Sequence, residues 1–257
     1  MPRILQLAAV LLLAPSLALA QSASDRLERF TRGLTGLQGQ FEQQVFDADG
    51  TAVHKVYLTG DSDEAAFDSL VERFRASPRP VTPSPPAVDD VPGPPAPADA
   101  LEAAWRAMTD THQFLILARR LKMNRLGAYR IAGAPLVRPL AVEAVPALLE
   151  RVHADGVGVM FFVGNMGCIE IHSGKIHSLR PMGPWLNVMD PRFNLHLRAD
   201  RLAEVWLVNK PTRHGAILSV EGFDAGGDLV LQMFGSRKHD ATAAWNALCD
   251  GLPRSEE

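Results

Sequence analysis

Phe223-Asp-Ala-Gly-Gly-Asp-Leu-Val-Leu-Gln-Met-Phe234 decides the fold class. Its centre is turn chemistry, because paired glycines admit positive φ and flanking aspartates bond the local backbone. Residues 216–223 and 229–234 on either side are rich in β-branched and aromatic types, so the stretch predicts an antiparallel hairpin. The same grammar occurs once more. Phe46-Asp-Ala-Asp-Gly-Thr-Ala-Val-His-Lys-Val-Tyr57 aligns with it at a constant offset, turn on turn and strand on strand. An amphipathic helix follows each copy, with Phe67 expected to face inward in the first and Trp245 in the second. Hairpin plus helix is therefore the end of an internal repeat. A long run of predicted helices and strands precedes the second copy and little precedes the first, so one unit reads as whole and the other as a tail.

Working outward, residues 157–164, 168–173 and 202–209 are further β-rich runs, separated by Gly-Asn, Ser-Gly and His-Gly turns. Val157-Gly-Val-Met-Phe-Phe-Val163 has no polar alternation, which predicts a central strand covered on both faces. Helices are expected over 99–130, with a break near Met123-Asn124, over 142–153 with Pro146 in the first turn, and over 241–248. The expected class is α+β, a large antiparallel sheet with flanking helices plus a truncated second repeat. Nearer the N-terminus, a helix over 24–37 precedes the first hairpin, and a helix over 63–74 capped by Ser62 follows it. Residues 77–98 are dense in proline with small and acidic residues, a composition that makes an extended linker. The expected domains are a signal peptide (1–20), a truncated N-terminal repeat (21–76), the linker (77–98) and a complete domain (99–253).

Of 257 residues 47% are hydrophobic and 21% charged, which excludes whole-chain disorder. A net charge of -3 provides no field to gather nucleic acid or an anionic membrane. Two cysteines, Cys168 and Cys249, make neither a disulfide framework nor a four-thiolate zinc site. Residues 1–20 carry Arg3, an apolar run and small residues at Ala18 and Ala20, the layout of a cleavable secretory signal. Its removal would leave no stable membrane span and a periplasmic product.

Leu101, Trp105, Met108, His112 and Leu115 recur at helical spacing, so His112 projects from an otherwise apolar stripe. Two readings stand: a core histidine satisfied by a backbone carbonyl, or an axial ligand for a haem iron on a dry wall. Arg125, Lys210 and Arg237 are cations at helix starts and strand ends. Each is either solvated or part of a cluster that holds carboxylates through charge-assisted bonds. Cys168 and His172 share a predicted strand face, but no carboxylate completes a metal triad.

Trp105-Arg-Ala-Met-Thr-Asp-Thr-His112-Gln-Phe114, Phe162-Val-Gly-Asn-Met-Gly-Cys-Ile169, Met182-Gly-Pro-Trp-Leu-Asn-Val-Met-Asp190, Phe193-Asn-Leu-His-Leu-Arg198, Asn209-Lys-Pro-Thr212 and Gln232-Met-Phe-Gly-Ser-Arg237 resemble the HemS-type haemin-degrading and haem-trafficking proteins of bacteria. The resemblance runs from about Phe46 to Leu252. It implies two similar halves that bind haem between them, with ferric haemin (haem b) as the ligand. It implies that His112 is the proximal iron ligand and that Phe162 contacts the ring. Arg125, Lys210, Gln232 and Arg237 would surround the haem, the basic ones toward its propionates. A haem donor or acceptor protein is the implied partner, and haem and iron acquisition the implied role. Most of the first half, with the family's distal arginine, is missing, which leaves haem breakdown undecided. Phe30-Thr-Arg-Gly-Leu-Thr-Gly-Leu-Gln-Gly-Gln-Phe-Glu-Gln-Gln-Val-Phe-Asp-Ala-Asp-Gly50, with the leader, resembles instead the start of a LolA-type periplasmic lipoprotein carrier. The chain thus reads as a chimera. A carrier-like chaperone for acyl chains and a non-functional fusion remnant are the competing expectations, and the HemS-type resemblance by itself would place the protein in the cytoplasm.

Overall fold

The computed structural model describes residues 42–46, 52–75, 97–165, 168–236 and 241–255. The leader, the predicted helix over 24–37, most of the carrier-like stretch, nearly all of the linker and Arg237 lie outside the described residues. The chain divides into two units, Met1–Ala87 and Val88–Glu257.

In the first unit β1 (Glu42–Phe46) pairs antiparallel with β2 (Ala52–Tyr57), and α1 (Glu64–Arg73) follows. Asp63, not Ser62, caps α1. Its carboxylate accepts the Ala66 N–H at 2.8 Å, whereas Ser62 Oγ accepts the Thr59 N–H upstream. No α1 residue is fully buried, and Phe67 is only partly covered.

The second unit begins with three short helices, α2 (Ala98–Arg106), α3 (Gln113–Arg120) and α4 (Arg125–Ile131). Then come β3 (Val137–Leu140), α5 (Ala144–Ala154), β4 (Val159–Gly164), β5 (Ile169–Gly174), β6 (Leu179–Met182), β7 (Trp185–Asp190), β8 (Phe193–Arg198), β9 (Leu202–Thr212), β10 (Gly215–Asp224), β11 (Leu229–Gly235) and α6 (Thr242–Asp250). Six strands form one sheet in the order β3-β9-β10-β11-β4-β5, and β6-β7-β8 form a second, smaller one. All of these pairings are antiparallel.

The repeat survives in backbone detail. The β1–β2 ladder shifts register between Val45 and Phe46, and the β10–β11 ladder shifts between Gly222 and Phe223, the equivalent step. A shared bulge of this kind re-aims the strand at the same point in both copies.

Side chains alternate across the large sheet, and each face has its own core. Val205, Leu207, Val220, Leu231, Met233, Val159 and Phe161 face α5, α6 and the small sheet. Trp206, Val208 and Phe223 face the other way, against Leu101, Trp105, Phe114, Leu126 and Tyr129 of α2–α4. These helices cover only part of that face. Beyond them Met160, Phe162 and Phe234 are half-buried, and Ile169 and Ile171 are exposed. β4 is internal in the sheet, as its composition predicts, but it is not covered on both faces along its length. Its far end, Val163 and Gly164, is exposed.

Four strands escape the sequence reading: β3, β6, β7 and β8. Pro139 and Pro181 interrupt β3 and β6, which are edges of their sheets, where the missing ladder donor is tolerated. Strand β9 runs through Lys210 and Pro211 to Thr212, so Lys210 lies inside a strand rather than at its end.

Candidate functional site

The single helix expected through Leu101, Trp105, Met108, His112 and Leu115 is two helices. α2 ends at Arg106 and α3 starts at Gln113. The break has a local cause, since glutamine and aspartate side chains take backbone N–H groups that a continuing helix would use. Gln113 Oε1 accepts the N–H groups of Thr109 (2.8 Å) and Asp110 (3.3 Å), and Asp110 Oδ1 accepts that of His112 (2.8 Å). Leu101, Trp105 and Met108 are buried as the stripe predicts, but Phe114 takes the next inward place and Leu115 is 56% exposed.

His112 is therefore the N-cap residue of α3, with its side chain 94% exposed. The core-histidine reading is excluded by this exposure. Its Nδ1 lies 2.7 Å from Asp110 Oδ1, and the hydrogen bonds from His112 hold the Asp110 carboxyl below its ordinary range.

Two residues on, Phe114 turns into the core and carries two cations on its ring, Lys210 Nζ at 5.3 Å and the Arg125 guanidinium at 6.0 Å from the centroid. Both cations converge on Glu221, a fully buried carboxylate of β10 that the sequence reading missed. Lys210 Nζ lies 2.5 Å from Oε1 and Arg125 Nη1 2.8 Å from Oε2. Ser219 Oγ donates to Oε1 at 2.7 Å and Tyr129 Oη to Oε2 at 2.8 Å. Burial alone would raise the Glu221 pKa, but Lys210 and then Arg125 overcome it and hold the carboxyl well below the usual range. Burial, then Glu221, pushes the Tyr129 hydroxyl well above its ordinary value, so Tyr129 stays a donor. Lys210 is pulled down by burial and supported in its charge by Glu221. With Glu221 ionised and Lys210 and Arg125 cationic, the cluster carries one net positive charge. Lys210 is only 3% exposed and Arg125 17%, so Arg125 is its outlet to the surface. A lone Glu221 in a strand pattern gives no sign of this in sequence; the register that sets it near Lys210 and Arg125 does.

That register also collects the remaining residues. Trp206, Glu221, Gln232, Phe162 and Ile171 oppose one another across β9, β10, β11, β4 and β5. Opposed residues point to one face, so Gln232 lies between the charged cluster and the half-covered apolar end of the face. Strand spacing puts Glu221 and Phe162 on the order of 10 Å apart. Phe162 meets Phe234 edge-on at 5.1 Å between centroids. Arg237 lies just beyond Ser236, outside the described residues. His172 is turned to the opposite face and stacks on Phe193 at 3.7 Å, with burial lowering its pKa, and Cys168 precedes β5. An open cavity of about 700 Å³ lies at the β3–β9 edge, lined by Pro139, Glu143, Trp206 and Arg254 among others. It holds none of the sequence-predicted residues.

The arrangement offers an outward imidazole, an apolar half-face and a buried positive charge with one surface outlet. A flat, apolar, metal-bearing dianion matches those three features, and haem has that chemistry. The model of the haemin-degrading HemS/ChuX domain matches residues 40–74 and 122–252. This chain belongs to that family. The HemS-type match leaves out 75–121, the stretch that holds His112. Among relatives, the hemin transport protein HemS of Yersinia enterocolitica is 37% identical over 195 residues, 76% of this chain and 56% of the relative. The apo form of PhuS, a haem-binding protein from Pseudomonas aeruginosa, superposes with a TM-score of 0.76 at 38% identity, over 84% of this chain and 65% of that one. The haem-degrading enzyme ChuS of Escherichia coli O157:H7 gives 0.75 at 36% identity, over 82% and 62%. The chain spans just over half the length of the curated relatives that it matches. Among the described residues no helix is long and apolar enough to cross a membrane.

Proposed function

We propose that the Val88–Glu257 unit binds ferric haem b in bacterial haem and iron acquisition and passes it on. The observation that carries this reading is the His112 imidazole, which stands out of the protein at the start of α3 with Nδ1 engaged and Nε2 turned to solvent. Phe162 and Gln232 lie along the porphyrin, and Arg125 and Arg237 take the propionates. Lys210 contributes from within the Glu221 cluster. Haem is then cargo, and we assign no degradation step to this chain. Hemin transport by the HemS relative and haem binding by PhuS support the ligand class.

Haemin titration followed in the Soret region tests it. The expected result is saturable binding of one haem per chain, with the band shifted and the affinity lowered in His112→Ala. Identical bands and affinities would show that His112 is not axial. The family reading asks for a haem donor or acceptor, which haem transfer to apo-globin would report.

We also propose that residues 1–20 are a cleaved signal and that the carrier-like stretch around 30–50 makes a chimeric head in the periplasm. The support is the leader's composition. N-terminal sequencing of the expressed protein should find Gln21 first. Retention of Met1 in a soluble cytoplasmic fraction would overturn export, and co-purified acylated lipoprotein in place of a red pigment would put the carrier reading ahead.

A further inference from the structure

Asp110 does more than terminate a turn. One oxygen, Oδ1, meets both the backbone N–H of His112 at 2.8 Å and its ring Nδ1 at 2.7 Å. The first bond closes a local turn, and the second is not needed for it. Gln113 clamps Asp110 from the other side by accepting its N–H. Asp110 is thus held through its backbone N–H by Gln113 and through its carboxylate by the His112 N–H before the imidazole reaches it. An ionised carboxylate only accepts, so a neutral ring bonded to it must carry its proton on Nδ1. Nε2 is then left with the lone pair, and it belongs to a side chain that is 94% exposed. An exposed pair of this kind adds little to stability, so orientation is the property it changes.

We infer that Asp110 is a positioning residue for His112, keeping the ring proton on Nδ1 and presenting Nε2 outward as an electron-rich ligand for an iron atom. The inference rests on the haem-binding reading for its purpose, though not for its first test. Hydrogen bonding from the far nitrogen of a ligating histidine sets its tautomer and raises its basicity. The neighbouring polar groups of the turn, Thr109, Gln113 and Arg213, leave that nitrogen to Asp110: Gln113 is engaged with Thr109 and Asp110, and Arg213 donates its backbone N–H to the Thr109 carbonyl.

The test uses the full chain labelled with 15N-histidine, free of haem and in mildly alkaline buffer. Long-range 1H–15N correlations should show His112 in the Nδ1–H form. Asp110→Ala should move it to the Nε2–H form that free imidazole side chains favour. Asp110→Asn keeps an oxygen that can accept both the His112 N–H and the ring Nδ1–H, so α3 should remain intact and the Nδ1–H form persist while the negative charge beside the ring is lost; this variant decides the matter through its iron–histidine band if Asp110→Ala loses the helix. In the haem-loaded proteins, the iron–histidine stretching band of the ferrous form should fall in both variants and haemin Kd should rise about tenfold. A wild-type Nε2–H ring, an Asp110→Ala protein that keeps the Nδ1–H form, or an Asp110→Asn protein with an unchanged stretching band overturns the inference. Failure of the wild type to bind haemin overturns the proposed function instead, and the haem-free spectra still decide on Asp110.

Discussion

Glu221→Gln removes the one negative charge from a buried group of four donors. Lys210, Arg125, Ser219 and Tyr129 all donate to the native carboxylate. A carboxamide oxygen can serve two of them, and its –NH2 then faces one cation, which cannot accept, and one hydroxyl, which must turn round to do so. Lys210, at 3% exposure, cannot turn to water for compensation. Breaking a buried ion pair by removing one partner costs about 3–5 kcal/mol. At about 2–4 °C per kcal/mol for a chain of this size, the melting temperature should fall by about 6–20 °C. Calorimetry and urea unfolding at neutral pH measure it. Adding Lys210→Met should recover part of the loss, because the uncompensated ammonium goes with it. A loss below about 1 kcal/mol, or no recovery in the double variant, would mean that Lys210 reaches solvent and that the cluster is not the closed unit described above.

The same carboxylate sets an acid limb. Folded Glu221 stays ionised where the unfolded chain takes up a proton, so its contribution is complete above the ordinary carboxylate value of 4.5 and is lost as pH falls below it. Melting temperatures across pH 3–7 should fall toward acid more steeply in the wild type than in Glu221→Gln, and parallel curves would contradict this (pH range about that of ordinary carboxylate titration). Trp105→Ala should cost about 3–5 kcal/mol, since the fully buried indole also donates to the Asn209 carbonyl at 3.0 Å; urea midpoints report it. Gly235→Ala places a Cβ 2.6 Å from Trp245 Cβ and should destabilise by about 1–3 kcal/mol, seen as a lower melting temperature without loss of the fold. Burial pushes the Cys249 thiol up to about 12, so mass spectrometry should find it unalkylated in the native protein and modified once urea unfolds the chain.

Much of the architecture was readable from residue order. Hairpin and helix recur because Gly and Asp mark the turns and alternating β-formers flank them, and both copies share the bulge as well as the pattern. The break near Met123-Asn124 was likewise legible, and the structure adds that Asn124 caps α4, accepting the Gly127 N–H at 2.6 Å. The stripe through His112 misled, because helical spacing counts apolar residues and ignores what Thr109, Asp110 and Gln113 do with the backbone. The proline-bearing edge strands were unreadable for a related reason, since an edge lacks one neighbour and its requirements are relaxed.

His112, Arg125, Phe162, Lys210 and Gln232 could be named from residue type and resemblance, as could the α+β class, because those depend on local pattern. Whether a cation is a surface group or an internal one depends on what lies across from it, and strand register decides that. Register set Glu221 one strand from Lys210 and Gln232, and packing of α4 brought Arg125 and Tyr129 onto the same carboxylate. The turn between α2 and α3 decided the rest, ending α2 early enough to turn His112 out of the core and into solvent. Both are long-range or backbone outcomes, and side-chain chemistry read along a line does not contain them.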